Sequence, residues 1–175
     1  MKKKYLLFLP LLVILGISIL LLIGLQRDPK QIASALIDRP VPEFFQADLL
    51  DEKKIVSNKD LPKSVHLINV WGSWCHYCKQ EHPLLLELAQ KGVKIVGLNY
   101  RDKPQSAVEY LNRFGNPFVL NINDSQGKFA MQLGVDGAPE TYIVDRHGVI
   151  RFRYSGAFNR ELLDKVILPE LEKWR

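Results

Sequence analysis

The chain holds two cysteines, Cys75 and Cys78, spaced Cys-x-x-Cys where one periodicity gives way to another. Before them, Val65-His66-Leu67-Ile68-Asn69-Val70-Trp71 is a short, largely apolar run with the character of a strand. After them, Leu84, Leu85, Leu88 and Ala89 recur at the spacing of one helical face. The spacing therefore predicts a strand-to-helix junction with the dithiol in the first helical turn. Unpaired N–H groups and the positive end of the helix dipole stabilise a thiolate there. Cys75, nearest the helix start, is expected to be the attacking thiol. Cys78, one turn further on the same face, is expected to resolve the mixed disulfide.

Other uses of such a pair fit less well. A structural bridge this short closes too small a loop to be a good staple. A structural zinc site needs four ligands, and only His76 and His82 stand nearby. Covalent haem attachment needs histidine directly after the second cysteine, where the chain has Lys79. No resident metal is expected.

The pattern Trp74-Cys75-x-x-Cys78, followed by Glu81-His82-Pro83, resembles the thioredoxin superfamily. Downstream, Gly137-Ala138-Pro139-Glu140-Thr141-Tyr142-Ile143-Val144-Asp145 resembles that superfamily's cis-proline segment, in the form found in the DsbE/CcmG family of cytochrome c maturation. The resemblance runs from about the N-terminal apolar segment to the C-terminus. It implies an α/β thioredoxin fold, a mixed sheet with helices on both faces, and thiol:disulfide exchange with no cofactor beyond the Cys75–Cys78 disulfide. It also implies a cis Pro139 beside Cys75, with Trp74 and Glu140 at a substrate groove. From the residues alone, a trans proline in a loop is the commoner case, since only about 5–6% of X–Pro bonds in folded proteins are cis.

Three positions modify that expectation. Ordinary thioredoxins carry a buried aspartate six residues before the first cysteine; here Asn69 stands there and cannot take up a proton. The resemblance offers Glu81, one turn after Cys78, as the replacement proton carrier, against an exposed helix glutamate. Between the cysteines, His76 and Tyr77 stand where the family often has a proline. His76 is either a cation that stabilises the Cys75 thiolate or simply an exposed histidine. His66 and His82 read as structural.

Tyr5–Leu25 is 21 residues without a charge, long enough to cross a bilayer, and no Ala-x-Ala-like cleavage pattern closes it. Lys2, Lys3 and Lys4 precede it, which keeps the N-terminus cytoplasmic. These three residues also supply three of the five net positive charges. No basic stripe remains to suggest nucleic acid. The expected organisation is a cytoplasmic N-terminus (1–4), a transmembrane helix (5–25), a juxtamembrane linker (26–39) and a thioredoxin-like domain (40–175). Strands are predicted at 65–71, 94–100, 118–122, 141–144 and 151–154, with a possible hairpin over 49–60. Helices are predicted after Cys75, at 104–114 and 129–133, and near the C-terminus with a kink at Pro169.

These readings converge on a single-pass protein of a bacterial inner membrane, with its domain in the oxidising periplasm. By resemblance its substrates are disulfides of apocytochrome c or of cytochrome c maturation proteins, and its electrons come from a membrane thiol reductase. A general extracytoplasmic thioredoxin-like reductase or oxidase is the alternative. A tethered metal or haem chaperone using Cys75, Cys78 and His82 is a third reading. Glu81 and Glu140 together are expected to raise thiol pKa values and make the pair a reductant.

Overall fold

In the computed structural model, which describes residues 9–25 and 36–175, the strand before the dithiol is an interior strand of the sheet. This strand, β3 (His66–Trp71), follows β1 (Phe45–Asp48) and β2 (Ile55–Ser57) and is buried along its whole length. A strand buried throughout must be covered on both faces, hence its nearly continuous apolar sequence. Then come α2 (His76–Gln90), β4 (Lys94–Tyr100), α3 (Pro104–Phe114), β5 (Leu120–Asp124), α4 (Lys128–Leu133), β6 (Glu140–Val144) and β7 (Ile150–Ser155). A final helix, α5, runs as Arg160–Leu162, a π-helical Leu163–Ile167 and Leu168–Lys173. The irregularity expected at Pro169 thus falls one turn earlier, where the missing proline N–H leaves the ladder incomplete.

The seven strands are ordered β2-β1-β5-β4-β3-β6-β7. β3, β4 and β5 run parallel, while β1, β2, β6 and β7 are antiparallel to their neighbours. Side chains alternate across this sheet. Leu67, Trp71, Ile95 and Ile143 face α2, α3 and α5, contributing to one core. Ile68, Val70, Val96 and Val144 face α4 and the segment around Val41 and Phe44, contributing to the other. Helices therefore cover both faces, as the thioredoxin fold requires.

Strand β5 begins two residues later than the apolar pattern suggested. Phe118 instead lies flat against Gly97, where an added Cβ would stand 2.6 Å from the ring. The Phe118 ring also stacks on Trp71, with centroids 5.4 Å apart. The domain starts earlier than expected. Leu36 and Ile37 pack against its core, and Asp38 N donates to Ile150 O. The assignment of 36–39 to a linker is corrected accordingly; residues 26–35 lie outside the described residues.

The chain divides into two units between Gln31 and Ile32. In the first, α1 (Leu9–Leu25) is a 17-residue helix without a charge. That is roughly 25 Å of helix, against a hydrocarbon core of about 30 Å. Among the described residues no helix is long and apolar enough to cross a membrane. The expected cytoplasmic N-terminus and the first four residues of the expected span fall in residues 1–8, outside the described residues.

Candidate active site

Cys75 is the N-cap of α2, with extended backbone, and its Sγ accepts the Cys78 N–H at 3.1 Å. A thiol sulfur is a weak acceptor. It takes the place that a Ser or Asp side chain fills in ordinary caps, so the first turn of the helix points an N–H at the sulfur. The two cysteines are joined as a disulfide, with Cα atoms 5.3 Å apart, and both are buried.

The loop that delivers Cys75 is fastened by a carboxylate the sequence reading missed. Asp102, just past β4, accepts Ser73 N at 2.6 Å, Ser73 Oγ at 2.9 Å, Asn99 Nδ2 at 3.0 Å and Lys103 N at 2.8 Å. Trp74 Nε1 donates to Tyr100 O at 3.2 Å, and its indole lies over Gly72, where a Cβ would come within 2.5 Å of Nε1. Trp74 is nevertheless 53% exposed, a rigid aromatic plate next to Cys75. Asp102→Ala leaves Ser73 N without its acceptor. It is expected to lower stability by about 2–3 kcal/mol, and to raise KM for a peptide disulfide more than it lowers kcat. Denaturant titration and steady-state kinetics check both; an unchanged KM would separate Asp102 from the Trp74 surface.

His76 and Tyr77 are both exposed. His76 Nε2 accepts from Gln80 Nε2 at 3.0 Å, and its ring meets Tyr77 edge-on at 5.6 Å. His82 donates from Nε2 to Gly115 O at 3.0 Å, and burial holds its pKa below the usual value. Its ring is thereby committed to the end of α3. Among the described residues, no three His, Cys, Asp or Glu side chains are grouped to hold a metal ion.

Glu81 is buried, not an exposed helix glutamate, with 1% of its surface accessible. It shares the inner stripe of α2 with Cys78, Leu85 and Leu88. Asn69 Nδ2 donates to its Oε1 at 2.9 Å and Phe158 N to its Oε2 at 3.2 Å, while Asn69 Nδ2 also reaches Thr141 Oγ1 at 3.1 Å. Burial outweighs these hydrogen bonds and pushes the Glu81 carboxyl up to about 8. The carboxyl is therefore mostly protonated at neutral pH.

The Ala138–Pro139 bond is cis, as the resemblance implies. Glu140 pairs with Val70 in the antiparallel β3–β6 register, so Pro139 stands level with the end of β3, where the chain turns toward Cys75. The free backbone edge lies one residue before the proline. Pro139 O accepts from Gly156 N at 2.8 Å, whereas Ala138 has no backbone hydrogen bond among the described residues.

Glu140 does not line an acidic groove. It is fully buried, and by strand alternation it lies on the sheet face opposite Glu81. Arg153 donates to both of its oxygens, at 3.0 and 2.9 Å, and Tyr142 Oη to Oε2 at 2.8 Å. Its Oε1 also accepts Asp136 N at 2.8 Å, which ties down the loop before Pro139. Separating such a pair would strand a buried charge at roughly 3–5 kcal/mol. Glu140 is thus a fastening of the proline loop, and the partly exposed strand expected at 151–154 carries a buried Arg153 to match it.

A family described as Redoxin matches residues 37–167. The chain is 57% identical over 172 residues to a probable thiol:disulfide interchange protein DsbE-2 of Pasteurella multocida, covering 98% of this chain and 91% of that one. It is 39% identical over 190 residues to the thiol:disulfide interchange protein DsbE of Escherichia coli K12, covering 99% and 97%. Among solved structures, a DsbF homologue from Corynebacterium diphtheriae superimposes with a TM-score of 0.66 at 25% identity, covering 82% of this chain and 96% of that one. A putative thiol:disulfide interchange protein DsbE from Chlorobium tepidum gives 0.60 at 25% identity, covering 75% and 95%.

Proposed function

The chain belongs to the Redoxin family, and within it to the DsbE thiol:disulfide interchange proteins, and from that premise we propose that it reduces disulfides of apocytochrome c, or of cytochrome c maturation proteins, before haem attachment. It is a thiol:disulfide oxidoreductase. The observation that carries the proposal is a Cys75–Cys78 pair capping α2, with a buried, mostly protonated Glu81 one turn along the same stripe.

The reaction starts from the reduced pair. Cys75 Sγ, as thiolate, attacks one sulfur of the client disulfide; a Cys75–client bond forms and the other client sulfur leaves as thiolate. Cys78 then loses its proton and attacks Cys75 Sγ, closing the Cys75–Cys78 bond and releasing the second client sulfur. Two electrons pass to the client, and two protons end on its thiols. Glu81 in its ionised form is the group assigned to accept the Cys78 proton, which it then gives up toward the leaving client thiolate. Trp74 and the free edge at Ala138, set by Pro139, bracket the approaching peptide. Tyr77 and His76 form the exposed rim and tune the potential.

The same reading holds the chain in a bacterial inner membrane by residues 5–25, faces the domain to the periplasm and draws electrons from a membrane thiol reductase. An oxidised peptide containing Cys-x-x-Cys-His, the haem-attachment pattern, is expected to be reduced faster than a disulfide peptide without it. Equal rates would leave a general extracytoplasmic reductase as the better description. The oxidase alternative gains one argument. Of the two carboxylates expected to disfavour thiolates, Glu140 is neutralised by Arg153 and Glu81 is mostly uncharged at neutral pH. A reduction potential below about −180 mV supports a reductant, and one near −120 mV supports an oxidant.

A further inference from the structure

At the end of the domain away from the disulfide, a concavity of about 410 Å³ is lined by Lys63 before β3, Lys94 at the start of β4, Arg146 after β6 and Arg175 at the C-terminus. Val65, Val93 and Leu171 contribute apolar lining. Cys75 follows the other end of β3, and six strand residues rise about 20 Å. The acidic side chains nearby are already engaged. Asp38 and Asp145 are bound by Arg151, Glu170 by Lys173 and Glu172 by Arg175. Lys63, Lys94 and Arg146 are exposed and have no carboxylate partner among the described residues.

The chain enters the domain at this same end. Pro40 bridges to Val149, and a second concavity shares Lys63 and Arg146 with Pro40 and Val41. In sequence, the apolar helix α1 stops at Leu25, eleven residues before Leu36. Extended chain of that length reaches at most about 40 Å. Whatever surface receives α1 is therefore within reach of this pole.

We propose that this basic pole docks on anionic phospholipid headgroups of the membrane, through Lys63, Lys94 and Arg146. Unpaired cations around apolar lining match a headgroup surface, where negative charge overlies hydrocarbon. Docking there leaves Cys75 and Trp74, at the opposite pole, free to meet clients. That a membrane lies within reach of this pole rests on the reading that residues 5–25 anchor the chain; the affinity of the pole for anionic headgroups is tested apart from it.

The test is hydrogen exchange of the full chain incubated with lipid nanodiscs, of phosphatidylcholine alone or with one third phosphatidylglycerol. Exchange at 62–65, 91–94 and 145–148 should slow only in the anionic discs. The triple variant Lys63→Gln/Lys94→Gln/Arg146→Gln should weaken docking roughly hundredfold, from the usual attraction of each cation to anionic lipid, while still reducing a small soluble disulfide normally. Identical exchange in both discs overturns the proposal. So does slowing that the triple variant retains, or the same slowing by inorganic phosphate without lipid. Co-elution with neutral discs reports the anchor separately. If the chain binds anionic discs only, and the triple variant does not, docking stands and the anchor falls. If it binds neither, both fall.

Discussion

Cys75→Ser is expected to abolish disulfide exchange, and Cys78→Ser to convert the protein into a trap. Removing Cys75 deletes the sulfur that caps α2 and receives the Cys78 N–H. The remaining Cys78 lies inside the first turn, without that end-on position, so turnover should fall by about a thousandfold or more, as losses of a nucleophile do. Removing Cys78 leaves the attacking thiolate in place but deletes the group that displaces the client. Mixed disulfides between Cys75 and client proteins should then accumulate, visible on non-reducing gels and reversed by dithiothreitol. Stronger trapping by the Cys75 variant would reverse the two roles.

Replacing Glu81 should change both the pH dependence of stability and the rate of exchange. The carboxyl rises from an ordinary 4.5 to about 8 in the folded protein, chiefly through burial. A group with a raised folded pKa binds its proton more tightly when folded. Its contribution is therefore complete below about 4.5 and is lost as pH rises through about 8. That rise is worth roughly 4–5 kcal/mol across the window. Glu81→Gln keeps the shape and cannot titrate, so the variant should be the less pH-dependent protein between about 5 and 9. At pH 9 it should be the more stable of the two in denaturant titrations. If Glu81 moves the Cys78 proton, the same change should slow exchange by on the order of a hundredfold. Parallel stability curves for the two proteins would mean that Glu81 titrates normally.

The Cys-x-x-Cys junction was legible because it is local: a strand pattern, a helix pattern and two thiols lie within a few turns. The stripe containing Glu81 was legible in principle as well. Glu81 stands three residues after Cys78 and four before Leu85, on the face the leucines bury; the exposed alternative stayed open beside the proton-carrier reading because a charged side chain suggests solvent. The Glu140–Arg153 pair was not legible. Its partners lie thirteen residues apart on two strands, and only the β6–β7 register brings Arg153 to the same face. A register cannot be read from either strand alone when both flank a turn of uncertain length. Asp102 was hidden for the same reason, since it reaches Ser73 across twenty-nine residues. The fold class survived these misreadings because it depends on periodicity, whereas the fastenings of the site depend on which strands become neighbours.

Asn69 has a consequence for how the site handles protons. A carboxylate at that position would share the interior with Glu81, and two acids so close titrate as a coupled pair with two macroscopic steps. A carboxamide is a fixed dipole. It holds Glu81 Oε1 and Thr141 Oγ1 from β3, an interior strand of the sheet, and carries no ionisable proton of its own. The buried compartment behind Cys78 thus stores a single proton in a cradle built from α2, β3, β6 and the backbone of Phe158. None of those donors belongs to the loop that carries Cys75.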